Sequence, residues 1–185
     1  DSDNRHQFLI DSTTSQFRVY SREAGSTKID IYSSAVFRDP SAWSHIVVHS
    51  DTTEASSSNR FKMWVNGVAQ TFSSYTWSFT QNVNINVFDG GTGDKIQVGS
   101  RMADTYYIDG YLIAHTEFGE TDSTSGIWKP NTQPTISSYG NAGFHCTYED
   151  SSNLGDDTSG NGLDFSLSGT PTQTQDNPSN NFATM

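Results

Sequence analysis

Phe61-Lys62-Met63-Trp64-Val65-Asn66-Gly67-Val68-Ala69-Gln70-Thr71-Phe72 is the stretch that decides the fold. Asn66-Gly67 parts two short runs of β-forming residues, and both tolerate the positive φ that a two-residue type I′ turn demands. A loop of that length sets the register, with Val65 opposite Val68, Met63 opposite Gln70 and Phe61 opposite Phe72. Side chains alternate along a strand, so Phe61, Met63 and Val65 share one face while Lys62 and Trp64 share the other. The spacing therefore predicts a sheet with one face packed on a core and the other open to a partner or ligand.

Working outward, strand-like segments recur at short intervals with turn chemistry between them. Phe8-Leu9-Ile10, Phe17-Arg18-Val19-Tyr20 and Ile29-Asp30-Ile31-Tyr32 precede a Pro turn at Asp39-Pro40 and a run from Trp43 to Asp51. A Ser-rich loop (52–59) leads into the hairpin, after which Tyr75 and Trp77 are expected on a loop. Further strands are expected over 83–88, 95–99 and 106–118, with an acidic Gly-rich turn at 89–94 and an interruption at Asp109-Gly110. This spacing reads as an all-β protein, an antiparallel β-sandwich. Composition changes near Gly119: four of the five prolines follow it, and only 143–148 and 163–167 look like strands. The expected division is a sandwich over 1–118 and an Asn/Asp/Ser/Gly-rich tail over 119–185, which adds edge strands or links to a further domain.

The 185 residues suffice for one sizeable domain. Apolar residues make up only 32% but aromatics 12%, so the core is expected to rest on large rings and β-branched side chains. No sustained 3.6-residue period and no apolar run of membrane-spanning length is present, which argues against a helical bundle or a spanning helix. A net charge of −11, with basic residues scattered, argues against binding nucleic acid through its phosphates. Cys146 stands alone, which excludes an internal disulfide, and it reads as a small buried apolar residue. Without an initiator Met or a signal peptide, the chain reads as a segment of something longer.

Three ordered motifs resemble the laminin G-like, concanavalin A-like jelly rolls over roughly residues 8–118. They are Trp43-Ser44-His45-Ile46-Val47-Val48-His49-Ser50-Asp51, then Arg60-Phe61-Lys62-Met63-Trp64-Val65-Asn66-Gly67, then Ile96-Gln97-Val98-Gly99 with Ile108-Asp109-Gly110-Tyr111-Leu112-Ile113-Ala114. In the tail, Phe118-Gly119-Glu120-Thr121-Asp122, Gly126-Ile127-Trp128-Lys129-Pro130 and 154–162 are similar to a pattern in laminin G-like proteins of marine bacteriophages, mostly tail-fibre or other virion-surface components. The family's opening strand is missing here, and its hydrophobic loop before Phe118 is short. The resemblance implies a jelly roll displayed on a virion or cell surface.

Many glycoside hydrolases share that fold, and they hold two carboxyl groups about 5–10 Å apart across the scissile bond. The alternating acidic strand of the sandwich glucanases is absent: Glu117 and Glu120 lack its spacing, and Glu149-Asp150 point to opposite faces if extended. His45 and His49 share a strand face but stand roughly 13 Å apart at 3.3 Å per residue, too far for one zinc ion. No Ser-His-Asp grouping is visible in the sequence. Calcium is the candidate cofactor. Asp157, Ser159 and Asn161 place oxygen donors at alternating positions before Gly162, with Asp156 and Asp164 as added charge, although Ser168 stands where a bidentate Glu is expected. The alternative is a solvated Asp/Asn/Gly turn.

Sugar binding needs aromatic faces with amides and carboxylates beside them. Trp64 on the outer face of the hairpin meets the first need, with Tyr75, Trp77, Tyr106 and Tyr107 as companions. The alternative is that Trp64 packs under a loop or on a neighbouring subunit. The resulting expectation is a non-catalytic, lectin-like module on a virion surface or outside the cell. It binds glycans or host envelope, packs on neighbouring virion subunits as a homo-oligomer, and neither binds nucleic acid nor inserts into membrane. The competing expectation is a structural virion component that binds no sugar.

Overall fold

The computed structural model describes residues 5–39, 41–83, 85, 101–176 and 178. The chain divides into two compact units, Asp1–Ile96 and Gln97–Met185. Every sheet is antiparallel, and the described residues hold no α-helix, only the 3₁₀ turns Ser57–Asn59 and His115–Phe118. The protein is all-β.

In the first unit, β1 (Arg5–Ile10), β2 (Gln16–Glu23), β3 (Ser26–Val36) and β7 (Phe72–Trp77) form a four-stranded sheet in the order β1-β2-β3-β7. The second sheet contains β4 (Ile46–Ser50), β5 (Phe61–Val65) and β6 (Val68–Ala69). Period-two alternation explains which faces are buried. Ile29, Ile31 and Ser33 of β3 point inward, as do Val19 and Ser21 of β2 and Phe61 and Met63 of β5. Val19, Ile29, Ile31, Phe61, Met63, Trp77 and Phe79 form one core, with Ile46, Val48 and Val65 packed against it. Two sheets closing on one core is an arrangement compatible with a β-sandwich.

Asn66 (φ 48°) and Gly67 (φ 74°) both occupy the left-handed region, as the hairpin reading requires. Val65 pairs with Val68 and Trp64 with Ala69, and Gln70 N–H donates to the Met63 carbonyl at 2.8 Å. The expected partnership of Phe61 with Phe72 does not form as a strand pair. Thr71 bonds Ser34, and Phe72 pairs with Ser33 in the other sheet, while its ring stays 5.6 Å from Phe61 in the shared core. The chain thus changes sheets at Thr71, and Phe72 packs against the shared core. That crossing also makes 72–77 a strand, where the sequence suggests a loop.

Arg60 explains how the Ser-rich loop is held. It is 6% exposed, and its guanidinium donates to the carbonyls of Glu54, Ala55 and Phe79 at 2.8, 3.2 and 2.8 Å. The buried charge is satisfied by backbone dipoles.

The second unit contains β8 (Thr105–Tyr107) paired with β11 (Phe144–Cys146), and β9 (Gly119–Thr121) paired with β10 (Trp128–Pro130). Phe118, Phe144, Cys146 and Leu154 are its buried apolar residues. The expected strand over 106–118 ends at Tyr107. Gly110 takes φ 76°, Asp109 N–H bonds the Tyr139 carbonyl and Asp109 Oδ2 accepts from Ala142, so this stretch is tied to loop 139–142. Residues 101–118, which the sequence groups with the sandwich, fall in the second unit by their contacts. Residues 163–167 are not a strand either; Phe165 N–H bonds the Gly155 carbonyl instead. Of the strands expected at 83–88 and 95–99, all but Val83 and Ile85 lie outside the described residues, as does the turn at 89–94.

Two substitutions test this packing. Met63→Ala is expected to cost about 2–5 kcal/mol in urea unfolding, the range for emptying a well-packed core site. Arg60→Ala is expected to cost roughly 3 kcal/mol, because three carbonyls lose a charged donor, and Arg60→Lys should restore only part of it.

Candidate ligand-binding site

Trp64 lies on the outer face of β5 by alternation, half-buried, opposite Val47 of β4. Lys62 stands beside it opposite His49, whose ring meets the indole edge-on at 4.7 Å. β6 is only two residues long, so the first half of β5 has no strand on that side among the described pairings. An open cavity of about 240 Å³ forms there, lined by Trp64, Lys62, Asn59, Ser58 and Gln70 and equally by Phe61, Met63 and Phe72 from the core side. It sets an aromatic ring, a cation, two amides and a hydroxyl beside three apolar core side chains.

The structure separates Tyr75 and Trp77 from this face. Their register partners are Ile31 and Ile29, so both point inward. Trp77 is 8% exposed and part of the core, and its Nε1 has no hydrogen-bond acceptor among the described residues. Tyr75 packs on Phe72 and donates its hydroxyl to the Ser57 carbonyl at 2.7 Å. It positions the loop beside the cavity and does not line it.

Tyr106 and Tyr107 belong to the second unit. Tyr106 stacks on His145 at 4.0 Å and packs on Phe118, with its hydroxyl buried and without a partner among the described residues. Burial, with Asp104 and Tyr139 nearby, pushes its phenol far above the ordinary range. Tyr107 stacks on Phe144, and burial raises its phenol to about 12. Both rings serve local packing.

Sequence reasoning missed the grouping around His145. Its Nδ1 lies 3.0 Å from Thr158 Oγ1 and its Nε2 lies 3.4 Å from Asp104 Oδ1, a hydroxyl–imidazole–carboxylate chain drawn from three distant segments. Only folding brings residues 104, 145 and 158 together, and no local motif signals it. Thr158 also donates its hydroxyl and its N–H to the His145 carbonyl, at 3.0 and 2.8 Å. The hydroxyl is thus tied to the turn, and it does not line the polar groove of about 400 Å³ at Thr116, Glu120 and Lys129 of the same unit. The arrangement fixes a loop.

Asp157, assigned to calcium from the sequence, is buried and already bound. Oδ1 accepts from the N–H groups of His145 and Ser159, and Oδ2 from Ser159 Oγ and Leu163 N–H, all at 2.9 Å. Asn161 donates its amide to the carbonyls of Gly140 and Gly143. An ion at this loop has to displace donors from Asp157. Among the described residues no group of three or more His, Cys, Asp or Glu is placed to hold a metal. Cys146 is buried, which raises its thiol to about 11, as the apolar reading expects.

No family model, no curated protein sequence and no solved structure matches the chain.

Burial works to raise the Asp157 carboxyl, but the hydrogen bonds from His145, Leu163 and Ser159 outweigh it and hold the group below its ordinary value. A depressed folded-state pKa adds stability above the unfolded value near 3.9, lost as pH falls through the folded value. Acid unfolding of Asp157→Asn should therefore lose part of the stability decline below about pH 4, from a starting stability lower by roughly 1–3 kcal/mol.

Proposed function

We propose that this chain is a non-catalytic carbohydrate- or host-surface-binding module built on a concanavalin A-like, laminin G-like jelly roll and carried on a virion surface or outside the cell. The observation that carries the reading is Trp64. A large aromatic ring stands on the sheet face turned away from the core, beside an open cavity with Lys62, Asn59 and Gln70 in reach. Pyranose rings stack on such faces while amides and charged groups hold their hydroxyls. The ordered motifs shared with the jelly rolls support the fold, and the lack of an alternating acidic strand supports a non-catalytic role. An open site with one stacking ring binds weakly, because ordering costs cancel much of the contact energy. Affinity then comes from many copies on one particle.

The second reading, a structural virion component that packs on neighbouring subunits, is favoured by exposed apolar side chains on the first unit, Phe8, Ile10 and Val36 among them.

A glycan array probed with a multivalent display of the full chain separates the two. Binding to a defined set of glycans is expected, with monovalent affinity falling about tenfold in Trp64→Ala, equivalent to about 1.4 kcal/mol. The array is run with and without Ca²⁺, because Asp157, Ser159 and Asn161 are the residues proposed to hold it. Binding unchanged in Trp64→Ala refutes the site, and binding to no glycan at all favours the structural reading.

A further inference from the structure

We propose that the outer face of the four-stranded sheet carries a second binding site, built on Arg5 and Arg22, for an acidic glycan whose sugars bear carboxylates. Strand alternation defines the face. Val19, Ile29 and Ile31 fill the core, so Arg18, Tyr20 and Arg22 of β2 and Asp30 and Tyr32 of β3 point the other way. β1 adds Arg5 opposite Arg22, and Gln7 opposite Tyr20.

Cations and rings alternate across this face in one stack. The Arg5 guanidinium lies 5.2 Å from the centre of the Tyr20 ring, and that of Arg18 lies 4.6 Å from Tyr20 and 4.8 Å from Tyr32. Arg18 is engaged structurally, donating Nε and Nη2 to the two carboxylate oxygens of Asp30 at 2.7 and 2.9 Å. Arg5 and Arg22 differ. They stand directly opposite each other, and neither is paired with a carboxylate among the described residues. Glu23, next to Arg22 in the chain, pairs with Lys28 at 3.8 Å instead. Like charges facing each other across a strand pair weaken it, so this arrangement costs the fold stability until an anion neutralises it. Tyr20 registers both cations: its phenol is held below the ordinary value first by a bond to Thr27 and then by Arg5, with Arg22 adding to the effect.

The chemistry of the face selects the ligand. Arg5 is exposed and Arg22 half-buried, and each guanidinium presents paired N–H donors that match a carboxylate. Stacking on Tyr20 holds Arg5 in place, which lowers the ordering cost of binding. Gln7 and Thr27, opposite Tyr20 and Arg22 in register, supply an amide and a hydroxyl for sugar hydroxyls. Eight of the ten Lys and Arg residues lie in 1–96, against ten of the 21 Asp and Glu, so this unit is close to neutral while the whole chain carries −11. A dense polyanion meets that net charge, whereas a glycan with one carboxylate per sugar meets chiefly the local cations.

The site shares no residue with the Trp64 cavity, so the two succeed or fail separately. The test passes the full chain over immobilised oligogalacturonate and oligosialate, with methyl-esterified oligogalacturonate and oligoglutamate as comparators. Binding to at least one acidic sugar is expected, weakening as salt rises and at least tenfold weaker for the ester and the peptide. Arg5→Glu sets a carboxylate opposite Arg22, so it should melt no lower than the parent yet bind at least tenfold more weakly. Arg22→Gln should show the same loss of binding, and Trp64→Ala should bind acidic sugars as the parent does, with circular dichroism verifying that each variant is folded. Retention of neither acidic sugar at low salt, equal retention of the ester or of oligoglutamate, or a folded Arg5→Glu variant that binds like the parent would each overturn the site.

Discussion

The first unit depends on a single cluster of rings and branched aliphatics that two sheets have to share. Among the described residues the second sheet has three strands, one of them two residues long, and such a sheet needs a partner face to bury its apolar side. Ile29, Ile31 and Val19 from one sheet meet Phe61 and Met63 from the other, and Trp77 and Phe79 close the end. Removing that area from water, at about 25 cal/mol per Å², is what offsets the ordering of long polar loops. The constraint reaches into local structure. It draws Phe72 out of the hairpin and turns Trp77 inward even though the indole N–H finds no acceptor among the described residues. It also leaves Trp64, of opposite parity on β5, facing out.

Much of this was legible wherever the signal is local. Asn66-Gly67 has one cheap geometry, so the turn, the face of Trp64 and the core roles of Phe61, Met63 and Val65 all follow from a dozen residues. Legibility failed where a strand's partner is remote. Residues 72–77 read Phe-Ser-Ser-Tyr-Thr-Trp, weakly apolar and Ser-rich, and only pairing with β3 makes them a strand. The failure at 108–114 has the opposite sense: a run apolar enough for a strand is held instead by Asp109 against 139–142, with Tyr111 and Leu112 left exposed. Tyr106 and Tyr107 stand out in the sequence for their rings, but no local pattern tells a ring that stacks on sugar from one that stacks on His145.

Part of the chain's acidity has a structural role. Asp11, Asp39, Asp51, Asp122, Asp150 and Asp157 each precede a Ser or Thr by two or three residues and accept both its N–H and a hydroxyl. A short carboxylate that bonds the backbone just ahead mimics a turn, so each Asp nucleates a loop without any ligand. All six carboxyls are held below the ordinary range: Asp122 foremost by Lys129, Asp157 by the N–H of His145 against the cost of burial, and the other four by these turn bonds. Six of the 21 acidic residues are thus engaged in turns. In the second unit the only basic residues, Arg101 and Lys129, are paired with Asp176 and Asp122. That unit keeps a strong net negative charge, which disfavours binding to polyanions.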